Sequence, residues 1–370
     1  MKRHLRWSAL AAATVLTLSA CGGGTSETDD PAADDTEVEA EDEPEDDEPD
    51  DEAETDDAEG DDDAETDDGA EGGAAEDDPE TLVLGLVPSQ DVDQLVEDAE
   101  ILGDLVGEEL GIPVETVVSN NYAALVTAMQ TGQADIGMFG PVALVQAADQ
   151  ADAEIVLQSV RFGASTYHTQ WFTNDPDTYC LDEVVEEETD DGAVYTYCNG
   201  TNEAETGPVG EEALEMIDQD TPLSFVDASS ASGYYYPATQ LERVAGLDPL
   251  ALDAQFAGGH PNSVLNVARG DFEVGTSFDD ARDELVEEDP EIGTKVTVFA
   301  YSDEIPNDGV AVRGDLSEDL QQRISEAMVA VIETDEGATA FDEVYSIEGL
   351  VEADLDALDA AREVEANFDE

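Results

Sequence analysis

The chain has 370 residues, with 96 Asp and Glu against 11 Lys and Arg and a formal charge of −85 at pH 7. No basic patch exists to meet a phosphate backbone, which excludes nucleic acid as a partner. Beyond the N-terminal segment no apolar run has the length of a transmembrane helix.

Residues 1–21 read as an address. Lys2, Arg3, His4 and Arg6 precede an apolar stretch, Ala9 to Leu18, too short to span a bilayer permanently. Leu18-Ser19-Ala20-Cys21, followed by Gly22-Gly23-Gly24, resembles a bacterial lipoprotein cleavage box. It implies a lipid-modified Cys21 anchored to the outer face of the cell membrane; a plain secretory signal is the other reading. Residues 22–80 carry 32 acids and no base, and like charge at that density makes an extended, disordered tether. It lacks the ligand spacing of an ordered calcium loop.

Residues 81–370 hold the other 64 acids and eight bases, a charge of −56. An acidic surface almost without Lys reads as adaptation to high salt, where at ~1 M the Debye length is about 3 Å and surface repulsion is nearly silenced. Cys180 and Cys198 are expected to form a disulfide closing a local loop in an exported protein. A zinc site is the weaker alternative, since it would want further His or Cys close by in sequence.

Thr81 to Val87 is a near-continuous apolar strand of the kind buried in a parallel sheet. Val92, Leu95, Val96, Ala99, Leu102, Leu105, Val106 and Leu110 recur at helical spacing, and Gly111 stops that helix. Val114 to Val118 is a strand, Tyr122 to Met129 a helix, Ala134 to Phe139 a strand. Pro141 opens another helix and Ile155 to Val160 forms another strand. The alternation predicts an α/β domain with a largely parallel sheet. Tyr167 to Phe172 leads into an acidic insert, about 175–207. A short helix from Gly210 to Ile217 follows.

Leu223 to Val226 reads as a buried strand ending at Asp227. Ala228-Ser229-Ser230-Ala231-Ser232-Gly233 then turns into a helix running through Leu241 and Val244. Strand, small-residue loop and helix start aim free N–H groups and Ser hydroxyls at one point, an oxyanion site. An ordinary Ser-rich cap is the bland alternative. Tyr234-Tyr235-Tyr236 is expected to pack against the sheet. The strand–helix pattern resumes with Leu252 to Phe256, a helix from Pro261 to Ala268, and strands Glu273 to Ser277, Val296 to Tyr301 and Val310 to Val312. Residues from Leu316 onward are mostly helical. Gly132-Gln133-Ala134-Asp135-Ile136-Gly137 is echoed by Gly270-Asp271-Phe272-Glu273-Val274-Gly275. Tyr122 and His260 stand ten residues before each leading Gly, so both rings should project from helix N-termini into one cleft.

The run Asp227 to Pro237 resembles the signature of phosphonate, phosphite and phosphate substrate-binding proteins of ABC transporters. Other blocks agree in order: Gly85 to Ser89, Asn121 to Val126, Gly132 to Asp135, Phe139-Gly140-Pro141, His260 with Gly270, and Ile305-Pro306-Asn307-Asp308. The resemblance implies a two-lobe, type II-like periplasmic-binding-protein fold with two hinge crossings. Lobe 1 would be 81–167 and 280–370, and lobe 2 would be 168–279. It implies a non-enzymatic, cofactor-free monomer that captures a phosphorus oxyanion and delivers it to a permease and its ATPase. A sensor of the same fold serving a receptor kinase is the alternative, and a secreted serine hydrolase a remoter one. Carried over, Ser230, Ala231, Ser232 and Gly233 would grip the anion, helped by Ser89, Tyr122, Tyr167 and His260. The family often has Thr where this chain has Ala231 and Pro-Asn where it has Ala228-Ser229; Ser229 is a substitute donor. Asp280 and Asp308 match acids that grip a ligand amine. No Arg is expected in the site.

Overall fold

The computed structural model describes residues 79–189, 192–204 and 207–368. The leader, Cys21 and nearly all of the acidic tether lie outside the described residues. The described residues form two large β-sheets, with helices packed on them, and one two-stranded ribbon. Across the first, the strand order is Gly349–Glu352, Ala153–Val160, Gly309–Arg313, Ile136–Phe139, Leu82–Leu86 and Val114–Val118. Across the second it is Ala254–Phe256, Leu223–Phe225, Val274–Phe278, Thr169–Thr173, Thr297–Tyr301, Val194–Tyr197 and Val185–Glu188.

Local sequence accounts for the elements. Leu82, Leu84 and Leu86, on one face of their strand, are fully buried; on the other face Gly85 is buried and Val83 partly so. The following helix, Val92–Leu110, begins where Asp91 accepts from Gln94 N and ends at Gly111, whose φ is 76°. Its Leu95, Ala99, Leu102, Val106 and Leu110 form the buried stripe.

Three expectations change. Neither sheet is largely parallel: Gly309–Arg313 runs against both its neighbours in the first, and Thr169–Thr173 does so in the second. Both reversals follow from the chain crossing between sheets. The lobe boundary at 279/280 moves, because Thr297–Tyr301 pairs inside the second sheet; that lobe runs to about Tyr301. Between the C-terminal helices, Gly349–Glu352 is a strand on the edge of the first sheet. The acidic insert, where a disulfide-closed hairpin loop is expected, joins the second sheet. Its strand Val194–Tyr197 pairs with Thr297–Tyr301, and Val185–Glu188 extends the sheet further. Cys180 and Cys198 are bonded there.

Two crossings join the sheets. The first leaves Val160 and the second leaves Tyr301, and they pair with each other: Thr166–Tyr167 lies antiparallel to Ile305–Pro306. Asn307 reinforces this, its Nδ2 donating to the carbonyls of Ser159 and Ala164 and its N–H to that of Ser165.

Candidate functional site

Between the sheets lies a cavity of about 30 Å³. The expected residues Ser89, Tyr122, Tyr167, Ser230, Ala231, Ser232, His260 and Asp308 all line it.

The small-residue loop forms one wall. After strand Leu223–Phe225 the chain passes Asp227, whose Oδ1 accepts from Ser229 N at 2.8 Å. A wide turn at Ala231–Tyr235 runs directly into helix Tyr236–Ala245. Ser230 caps this helical segment: its Oγ accepts from Gly233 N at 3.1 Å. The amides of Ala231 and Ser232 are left with no acceptor among the described residues, the unpaired donors of a helix start. Gly233 does not line the cavity. It sits behind the loop, its carbonyl accepting from Thr276 Oγ1 at 2.9 Å and from Val226 N at 3.2 Å. A Cβ there would come within 2.4 Å of Val226 Cβ. Ser229 does not line the cavity and so does not replace the missing Thr hydroxyl at Ala231.

His260 faces this wall from the helix that it opens. Its Nδ1 lies 2.8 Å from Ser277 Oγ and accepts from Phe278 N at 3.3 Å. With Nδ1 accepting, the ring proton belongs on Nε2. Burial, aided by the Arg161 charge, lowers the imidazole pKa to about 3, so the ring offers a neutral N–H donor. Burial also raises the pKa of Tyr122, Tyr167 and Tyr345, with Asp308 adding to all three. Each phenol therefore keeps its proton. Tyr345 donates to the Val87 carbonyl at 2.7 Å, and Tyr167 is hydrogen-bonded to Ser232.

Two expectations fail here. Asp280 is not in the cavity: Arg282, fully buried, takes its carboxylate in a fork, Nε to Oδ1 at 2.9 Å and Nη2 to Oδ2 at 2.6 Å. Burial opposes that charge, but Arg282 wins and holds the carboxyl below its usual range. Nor is the site free of Arg. Arg161 lines the cavity, 6 % exposed, with Nη1 at 3.5 Å from Asp308 Oδ2. Asp308 is raised by burial, less so for the nearby Arg161. The sequence signal for Arg161 was its position, one of eight bases in the folded region and placed just after a buried strand. Tyr345 and Phe278 carried no such signal. The tyrosine run packs largely as expected: Tyr234 meets Phe225, Phe256 and Phe368 at ring distances of 5.2–5.3 Å. Tyr235 also accepts from Gln146 Nε2 of the first lobe at 3.1 Å.

Neutral donors from the two lobes thus line one cleft. The profile of the family described as ABC transporter, phosphonate, periplasmic substrate-binding protein matches residues 84–358, and the chain belongs to that family. A phosphate-import protein, PhnD, of Mycolicibacterium smegmatis is 29% identical over 215 residues, 55% of this chain and 57% of the relative. The phosphonates-binding periplasmic protein of Escherichia coli is 22% identical over 253 residues, 68% of this chain and 66% of the relative. The chain thus spans less than two thirds of the length of either curated relative. Among solved structures, a binding component of a Pseudomonas aeruginosa ABC phosphonate transporter superposes with TM-score 0.61 at 20% identity, covering 77% of this chain and 85% of that one. PhnD1 of Prochlorococcus marinus, solved with methylphosphonate, gives 0.62 at 18% identity, covering 79% and 99%. These neighbours share the two-lobe fold, and the relatives are substrate-binding transport proteins, not enzymes.

Proposed function

We propose that the protein captures a small phosphorus oxyanion (a phosphonate, phosphite or phosphate) between its lobes and delivers it to an ABC permease and its ATPase. The observation that carries this reading is the pair of Ala231 and Ser232 amides, without an acceptor among the described residues, lining one small cavity with the neutral His260 imidazole. Fixed N–H and O–H groups replace the anion's hydration shell with little reorganisation. Closure of the lobes on the anion is the signal a permease reads. In this reading the protein works as a monomer, held outside the membrane by a lipid on Cys21. The acidic surface suits a saline exterior.

Isothermal calorimetry with phosphate, phosphite, methylphosphonate, 2-aminoethylphosphonate and sulfate, in molar KCl, tests it. At least one phosphorus oxyanion should bind in preference to sulfate. Binding of sulfate alone overturns the assignment.

A further inference from the structure

We propose that the preferred ligand is a phosphonate whose substituent carries a carboxylate, and that Arg161 holds that carboxylate in a second chamber. This rests on the reading of the anion cavity given above. The second chamber has a volume of about 180 Å³ and shares Arg161, Tyr167 and Phe278 with the anion cavity; Ala164, His168 and Asp279 complete much of its wall.

Arg161 is a poorly satisfied buried cation. Of its five guanidinium N–H donors, one makes a hydrogen bond among the described residues, to Asp308 at 3.5 Å, the long limit of such a contact. Its Nε is buried without a partner, as is Nδ1 of His168. The guanidinium otherwise lies over Phe278 at 5.0 Å and Phe162 at 5.9 Å. Its backbone cannot swing away. Arg161 and Ala164 exchange both N–H···O bonds, at 3.0 and 2.9 Å, around a turn with φ of 50° at Phe162 and 72° at Gly163. Unmet donors of this kind are expensive to bury, and a guanidinium cannot escape by losing its proton.

The carboxylate across the chamber is in a different position. Asp279 accepts from His168 N at 3.1 Å, and its burial favours taking up a proton. The chamber is thus walled by a guanidinium with unmet donors, and a planar carboxylate matches its fork. The phosphorus head occupies the smaller cavity and the substituent passes Arg161 into the larger one.

Calorimetry with methylphosphonate, phosphonoacetate, 3-phosphonopropionate and 2-aminoethylphosphonate decides this on the wild-type protein, Arg161→Gln and Ala164→Phe. A phosphonocarboxylate should bind roughly tenfold or more tighter than methylphosphonate. Arg161→Gln should erase that ratio, and Ala164→Phe, by narrowing the chamber, should reduce it. Circular dichroism checks that each variant is folded, and either variant alone suffices. An equal or stronger preference for methylphosphonate overturns the assignment while leaving oxyanion capture intact. So does first rank for 2-aminoethylphosphonate, or a ratio unmoved by Arg161→Gln. Binding of none of the four overturns the assignment, and phosphate and phosphite then decide oxyanion capture separately.

Discussion

The backbone N–H of His260 donates to the carbonyl of Ser89 at 2.8 Å. Ser89 follows the first strand of one sheet and His260 opens a helix packed on the other, so one bond ties the lobes where both residues line the anion cavity. The imidazole of His260 is thereby placed from its own backbone, with Ser277 and Phe278 fixing the ring.

His260→Ala keeps the main-chain tie and removes only the ring donor. A hydrogen bond to a charged group contributes about 1.5–3 kcal/mol, so oxyanion affinity should fall roughly 10- to 150-fold. Calorimetry measures it; a change below twofold would show that the ring does not touch the ligand.

The same ring gives a pH dependence with a definite sign. An unfolded His titrates near about 6.5, whereas His260 in the fold titrates at about 3. As pH falls between these values, the unfolded chain takes up a proton that the folded chain refuses, and the His260 contribution to stability drops. Burial raises Asp308 and Asp227, which acts in the opposite sense below neutrality. The loss assigned to His260 is therefore read as the difference between wild type and His260→Gln in urea unfolding at pH 7.5 and pH 5. Wild type should lose more. Identical losses would mean that the ring titrates normally when folded.

Gly233→Ala should destabilise by about 1–3 kcal/mol, the usual cost of overpacking. The new Cβ would meet the β-branched Val226 at 2.4 Å and Ser230 Oγ at 2.7 Å. Because Ser230 Oγ caps the turn that presents the Ala231 and Ser232 amides, ligand affinity should fall as well. Thermal unfolding with and without ligand separates the two effects, and an unchanged midpoint would contradict the close packing.

Joining Cys180 to Cys198 closes a span of 18 residues, which in the chain-entropy model stabilises by roughly 3 kcal/mol. The bond lies in the insert at the edge of the second sheet, away from the cavity lining. Reduction should lower the unfolding midpoint while leaving affinity at temperatures well below it within twofold. A large loss of affinity on reduction would mean that the insert supports the site.

The charge of −56 on residues 81–370 repels an approaching anion. Association should therefore quicken as ionic strength rises. Stopped-flow fluorescence over a KCl series measures the rate, and a rate that falls with added salt in folded protein would contradict the argument.

The signature loop is legible in the sequence. Small residues after an apolar strand leave unpaired helix-start amides by local geometry alone, and Ser230, Ala231 and Ser232 line the cavity. Tyr122 and His260 were readable from the repeated unit because a residue ten positions before a helix-ending Gly falls at the start of that helix. Asp280 misled because carboxylates are abundant and the sequence does not show that Arg282, two residues on, folds back onto it. The lobe boundary misled because Thr297–Tyr301 has the apolar pattern of a strand without any mark of which sheet it joins.

Local pattern thus determined the α/β class, the small-residue loop and the rings at two helix starts, since these depend on periodicity and nearest-neighbour sterics. Tertiary structure alone decided which charges meet. Arg161 reaches the cavity because the crossing that carries it pairs with the crossing that carries Asp308, 147 residues away. Contacts at such separation are set by how the two sheets pack, and no short stretch of sequence encodes them.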